Sequence, residues 1–245
     1  MVILGMLSLS PSTLQKDEAF RSSYTAIEEL VVRFQEFASD LETCKLDQEA
    51  QRLLFIEMVQ ISLFGNRTDL SLLTNLSAPD FALLQGKQAI KSSLENIISN
   101  HIDFVWVLIS NLHDGRIDFV LDNSGFELFC DIIFALYLLE FGIAKEIVLH
   151  PKDIPWFVSD VTPNDLGPHL FEILQSYQTP EFEFLVRKLT NCYSKGTLII
   201  RSNVFWTTGH SYWRLKDLEP ELHKDLQESD LVIFKGGETS SSANI

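Results

Sequence analysis

Cysteine is scarce: Cys44, Cys130 and Cys192 are all that 245 residues contain. Scattered and odd in number, they form neither a CxxC pair nor a disulfide framework, which favours a reducing compartment. Each reads as a small apolar residue of the core. Positive charge is short as well, with 19 Lys and Arg against 34 Asp and Glu, a net charge of −15. A reader of phosphate backbones carries a basic face, so nucleic acid is not an expected partner. The opening MVILGMLSLS is too short to span a bilayer and lacks the basic leader of a signal peptide. No membrane partner is expected, and the chain reads as soluble and cytoplasmic, with the nucleus also open to it. Without a secretory signal, the sequons at Asn66-Arg-Thr and Asn75-Leu-Ser read as chance matches. There is no internal repeat, no GxGxxG and no Walker loop.

What is present is a core. Apolar residues make up 46% of the chain and phenylalanine alone occurs 18 times, which fits a globular protein. From residue 17 to about 63, AIEELVVRFQEFASDL and EAQRLLFIEMVQISLF place apolar residues three and four apart, predicting core-facing helices. GNRTDLSLLTNLSAPD, 65–80, breaks that period as a loop, and a weaker helical stretch leads to the break at HDGR. Strands and helices then alternate. RIDFVLD predicts a strand ending at Asp122, and FELFCDIIFALYLLEFG a helix closed by Gly142. EIVLH predicts a second strand, with IPWFVSD after it as an extended, strand-like run. Next come a helix opening at Thr162-Pro163, weakened by Gly167 and Pro168, and another over PEFEFLVRKLTNCY. The strands TLIIRS and DLVIF flank the polar helix LEPELHKDLQESD. The expected fold is α/β, a three-layer α/β/α arrangement with a mainly parallel sheet and a helical N-terminal region. Residues 1–100 are assigned to the helical region, 101–236 to the α/β domain and 237–245 to a disordered tail.

The abrupt joint in VLDNSGFELFCD draws attention. Ligands of open α/β sheets sit beyond the carboxyl ends of strands, against helix N-termini. Asp122 would point into that crevice, Gly125 would let backbone approach a ligand, and Glu127 suits the first turn of a helix. Asp-Asn-Ser-Gly is also good turn and N-cap chemistry, and that alternative stays open. Asp160 likewise follows an apolar run. Two carboxylates and an amide oxygen at neighbouring strand ends are hard donors for Mg²⁺ or Mn²⁺, although Asp153 and Asp165 compete for the same part. His150 and His210 could polarise a substrate but read more simply as structural, and Trp156, Trp206 and Trp213 read as packing residues.

LDNSGFELFCD, KDIPWFVSDVTPND, NVFWTTGHSYW and SDLVIFKG, in that order, resemble the damage-control phosphatases. The similarity runs from about Phe64 to Gly236. It points to the branch of sugar-phosphate phosphatases also described as acidic-residue (protein-glutamate) O-methyltransferases. The resemblance implies an enzyme with one divalent metal, Mn²⁺, Co²⁺ or Ni²⁺, held by Asp122, Asn123 and Asp160. Asp122 and Asp160 would be catalytic, one of them orienting the attacking water. Asp122, Asn123, Lys235 and Gly236 would meet the substrate, a small sugar phosphate such as fructose 1-phosphate or fructose 6-phosphate. In the methyltransferase description, Glu127 and Asp160 match positions assigned to S-adenosylmethionine, and protein carboxylates would be the partners.

The family continues after Phe-Lys-Gly with Asp-Leu-Asn-Tyr-Arg-Lys, where this sequence reads FKGGETSSSANI. On that departure the α/β domain is expected to be C-terminally incomplete, with impaired turnover. A non-catalytic metal-binding remnant is the further alternative.

Overall fold

The computed structural model describes residues 23–43, 48–65, 99–112, 114–157 and 159–236. Two long helices come first, α1 (Tyr24–Thr43) and α2 (Gln48–Phe64), then a short α3 (Ile102–Ile109). The α/β alternation follows: β1 (Arg116–Val120), α4 (Phe126–Glu140), β2 (Glu146–His150), α5 (Pro163–Leu166), α6 (Pro168–Ser176), α7 (Pro180–Lys195) and β3 (Leu198–Ile200). Two 3₁₀ turns, Val204–Thr207 and Tyr212–Arg214, lead through α8 (Leu215–Leu218) and α9 (Pro220–Leu226) to β4 (Leu231–Phe234). Among the described residues the four strands are all parallel, in the order β3-β2-β1-β4. The fold is the three-layer α/β/α arrangement. The cysteines at 130 and 192 are buried and free, as core residues should be, whereas Cys44, the two sequons and the 237–245 tail lie outside the described residues.

Strand periodicity sorts the sheet's two faces. Ile117 and Phe119 of β1, Leu121 just past its end, and Ile147 and Leu149 of β2 enter one large core with α4. Val120, on the opposite face, packs with Phe205, Trp206, Leu215, Leu222 and Leu226. Helix α4 is buried at every residue from Phe126 to Leu138. Such all-round apolarity requires cover on both sides, which α1 and α2 supply from outside while the sheet lies beneath. The helix ends as its sequence predicts. Gly142 (φ 65°) and Ile143 donate back to Leu139 O and Leu138 O at 3.1 and 3.0 Å, a Schellman closure.

A charged clamp ties the second face down. The Arg116 guanidinium grips the Asp118 carboxylate with two bonds of 2.8 Å and reaches Asp225 on α9 at 3.1 Å. Arg201 meets the same Asp225 at 2.6 Å. His150 Nε2 lies 2.8 Å from Asp118, with both side chains fully buried. Burial would raise the Asp118 carboxyl, but its bonds to His150 and Arg116 outweigh that and hold it low. No helix among the described residues is long and apolar enough to cross a membrane.

Three local expectations are corrected. The described residues of IPWFVS form no strand: Ile154, Trp156 and Phe157 are exposed in an irregular loop. The helix expected to run on from Pro163 breaks at Gly167 into α5 and α6, since Pro168 has no N–H to continue the ladder. β1 stops at Val120, so Asp122 lies two residues past it rather than at its last position.

Candidate active site at the sheet's switch point

The strand order reverses between β1 and β4, because the chain winds from β1 to β2 and β3 and then returns to the other side of β1. A crevice opens at such a point beyond the strand ends. Both flanks are pinned by backbone bonds. Leu121 N–H donates to His150 O at 3.0 Å, and Lys235 N–H to Val120 O at 2.9 Å.

Past Leu121 the chain leaves the sheet and pairs with a different partner. Val161 N–H donates to Asp122 O at 2.8 Å, Ser124 N–H donates to Ser159 O at 2.7 Å, and Asn123 and Asp160 form an antiparallel bridge. Lys152 N–H closes the base of the 152–161 loop on Val161 O at 2.8 Å. The loop is thus an excursion whose returning arm lies against Asp122, Asn123 and Ser124. This brings Asp160 to the site although no strand delivers it. Gly125 follows at φ 79°, a conformation open to glycine, and caps the start of α4. The first-turn amides of α4, which starts at Phe126, have no intrahelical acceptors.

The side chains interlock. The Asn123 carboxamide donates to Asp122 Oδ2 at 2.8 Å and to Glu127 Oε2 at 3.0 Å, while its oxygen accepts from the Ser159 hydroxyl at 2.6 Å. Asp160 Oδ2 accepts the Phe157 N–H at 2.7 Å. Burial and the charge of Glu127 push the Asp122 carboxyl up to about 6; Asp160 adds to the rise, and Lys152 and Lys235 oppose it. Burial likewise raises Glu127, against the pull of Lys235 and Asn123. The acids therefore crowd one point with more negative charge than the local lysines relieve.

Among the residues expected at the site, Asp122, Asn123, Glu127 and Asp160 adjoin one another. Glu127 is turned inward, its oxygens toward Asn123 and Lys235. Lys235 lies beneath the site with its ammonium on Ser62, Asp131 and Glu127, and Gly236 follows it with φ 132°. The competing acids are engaged elsewhere. Asp153 accepts from Thr207 Oγ1 at 2.7 Å, and Asp165 takes the N–H and hydroxyl of Thr162, both at 2.8 Å, at the start of α5. His150 is committed to Asp118, and His210 lies 3.5 Å from Arg214.

Two participants escaped the sequence reading. Lys152 is buried with its ammonium on Leu121 O at 2.9 Å, and Ser159 orients Asn123. A lysine two residues beyond an expected strand end was the available signal for the first. Ser159 offered none.

As cation donors, the Asp122 and Asp160 carboxylates and the Asn123 amide oxygen are the hard oxygens that Mg²⁺ or Mn²⁺ prefer, and the surplus of negative charge fits a positive guest. No cluster of three His, Cys, Asp or Glu side chains among the described residues has the arrangement of a metal centre. An amide is one of the three donors here, and Phe157 and Ser159 of the loop already occupy one oxygen each on Asp160 and Asn123.

Fold and site together define an α/β protein with an acid-lined crevice at a sheet switch point. Residues 11–238 match the family model "Damage-control phosphatase ARMT1-like domain", and the chain belongs to that family. It is 32% identical over 233 residues to damage-control phosphatase ARMT1 of Xenopus tropicalis, covering 90% of this chain and 51% of that protein. The Homo sapiens protein of the same name is 31% identical over 239 residues, with the same coverage. That of Mus musculus is 35% identical over 196 residues, 74% of this chain and 42% of the relative. The chain thus spans about half the length of the curated relatives it matches.

Proposed function

We propose that this chain carries a divalent-cation-dependent phosphatase site that acts on small sugar phosphates such as fructose 1-phosphate and fructose 6-phosphate. The observation supporting it is the antiparallel backbone bridge that sets Asp160 against Asn123, next to Asp122, beyond the strand ends at the β1/β4 switch point. The relatives are named as phosphatases. Asp122, Asn123 and Asp160 would hold the ion, with Mn²⁺ first and Co²⁺ or Ni²⁺ as alternatives. When bound, such an ion supplies positive charge against phosphate oxygens and makes water more acidic. The protein's own groups account for the rest. Asp122, just past the carboxyl end of β1 and beside Asp160, would orient the attacking water. Lys152 contributes fixed positive charge beside it, and the open amides at the start of α4 suit an anion. Phosphoryl transfer needs mainly such positioning and electrostatic stabilisation.

The test is phosphate release from fructose 1-phosphate by the purified chain and by Asp122→Ala, each with and without Mn²⁺. Release is expected to require both the ion and Asp122. Equal release from the two proteins would remove Asp122 from the mechanism.

A further inference from the structure

We infer that Lys235 is a positioning residue, whose ammonium acts through Glu127 to fix the orientation of the Asn123 carboxamide beside Asp122. This deepens the cation-site reading proposed above and rests on it. It also gives Lys235 a part other than contact with substrate.

The first ground is a count of donors. An ammonium has three N–H groups. Those of Lys235 meet the Ser62 carbonyl, the Ser62 hydroxyl at 3.1 Å and Asp131 Oδ1 at 3.0 Å, with Glu127 Oε1 at 3.6 Å. The Ser62 hydroxyl itself donates to Asp131 at 2.6 Å. Every donor of the ammonium therefore faces a protein oxygen, and the side chain is only 10% exposed. None is left for a phosphate in the crevice.

The second ground is the chain of contacts leading from it. Glu127 and Asp131 stand four residues apart on α4, so both carboxylates fall on one helix face. Between them Lys235 is their common counter-charge. One Glu127 oxygen points to Lys235, and the other accepts from Asn123 Nδ2 at 3.0 Å. The second N–H of that amide goes to Asp122 at 2.8 Å. With both amide protons taken by carboxylates and its oxygen taken by the Ser159 hydroxyl, Asn123 has one consistent orientation. Remove Lys235, and Glu127 and Asp131 become buried acids without a cation. Glu127 then loses the contact that fixes its Oε1 side, and with it the placement of Oε2 as acceptor for the far side of Asn123.

A merely structural lysine would brace α2 against the sheet and affect stability alone. A readout specific to Asn123 separates the two. The proteins are wild type, Lys235→Met, and Lys235→Met/Asp131→Leu, which removes opposite charges together so that folding survives the loss. The measurements are the Asn123 side-chain amide signal in a ¹H–¹⁵N spectrum, assigned by its loss in Asn123→Asp, and Mn²⁺ affinity by the free-ion spin resonance signal. In the folded variants the amide pair is expected to shift toward that of a solvent-exposed asparagine. Mn²⁺ affinity is expected to fall by about tenfold or more, as for loss of a group that orients a ligand. A folded variant with an unchanged Asn123 signal overturns the inference. So does a variant that keeps Mn²⁺ affinity and the Asn123 signal but loses binding of inorganic phosphate. If wild type binds no Mn²⁺ while the amide signal still moves in the variants, the cation reading fails and the positioning role stands.

Discussion

Replacing Asp122 by asparagine is expected to stabilise the cation-free protein at pH 7.5 while removing its capacity to hold a cation. The change keeps shape and leaves an oxygen to accept the Asn123 amide, so the variable is charge. Asp122 rises from an ordinary 3.8 to about 6 under burial and the charge of Glu127. At full weight that is ~3 kcal/mol against the ionised form. Asp122 is partly exposed, and solvent screening reduces the expected effect to ~1–2 kcal/mol. Because the folded state holds the proton more tightly than the unfolded chain, the cost is absent below about pH 4, grows between about 4 and 6, and is fully present above. Urea unfolding in chelator should therefore show Asp122→Asn ahead of wild type at pH 7.5, and the advantage should vanish at pH 4. Mn²⁺ at about one hundred times its dissociation constant should reverse the order, adding ~2.7 kcal/mol to wild type and nothing to the variant. A variant no more stable than wild type at pH 7.5, or equally advantaged at pH 4, would refute the electrostatic reasoning.

Other changes separate the site from its frame. Gly125→Ala strains a positive φ at the mouth of the crevice, and is expected to cost ~1–2 kcal/mol and to weaken Mn²⁺ binding. Gly142→Ala strains a similar φ in open space at the far end of α4, so thermal unfolding should show ~1 kcal/mol lost with Mn²⁺ affinity unchanged. Asp225 is held down to about 2, chiefly by its bond to Arg116 against burial, with Arg201 assisting. Its contribution is present above about pH 4 and lost as pH falls toward 2. Asp225→Ala is expected to cost ~1 kcal/mol at pH 7 after screening, and the gap should narrow in unfolding measured near pH 2.5. Phe129, fully buried in α4, should cost ~3–5 kcal/mol as Phe129→Ala, with the damage read directly in urea midpoints.

Local signals carried much of the architecture. The short apolar runs in RIDFV and EIVLH, the apolar length of α4 and the glycine at 142 each depend on residues a few positions apart, so they were legible in order along the chain. The loop after β2 was not. Ile154, Trp156 and Phe157 form an apolar run whether they line a core or stand exposed, and periodicity cannot distinguish the two. Ser62 looks like any polar position on an amphipathic helix, yet it supplies two of the acceptors for Lys235.

By itself, the amino-acid order determined that apolar strands would alternate with helices and that Asp122, Asn123 and Glu127 would gather where α4 begins. Those facts follow from spacing and from helix and turn geometry, which operate over a few residues. Only the tertiary structure decided which distant groups join them. Asp160 reaches Asn123 because the 152–161 loop folds back antiparallel to it, and Asp153 and Asp165 are drawn to other partners. Lys235, a basic residue at a strand end, turns toward α2 and α4 because two buried carboxylates there need its charge.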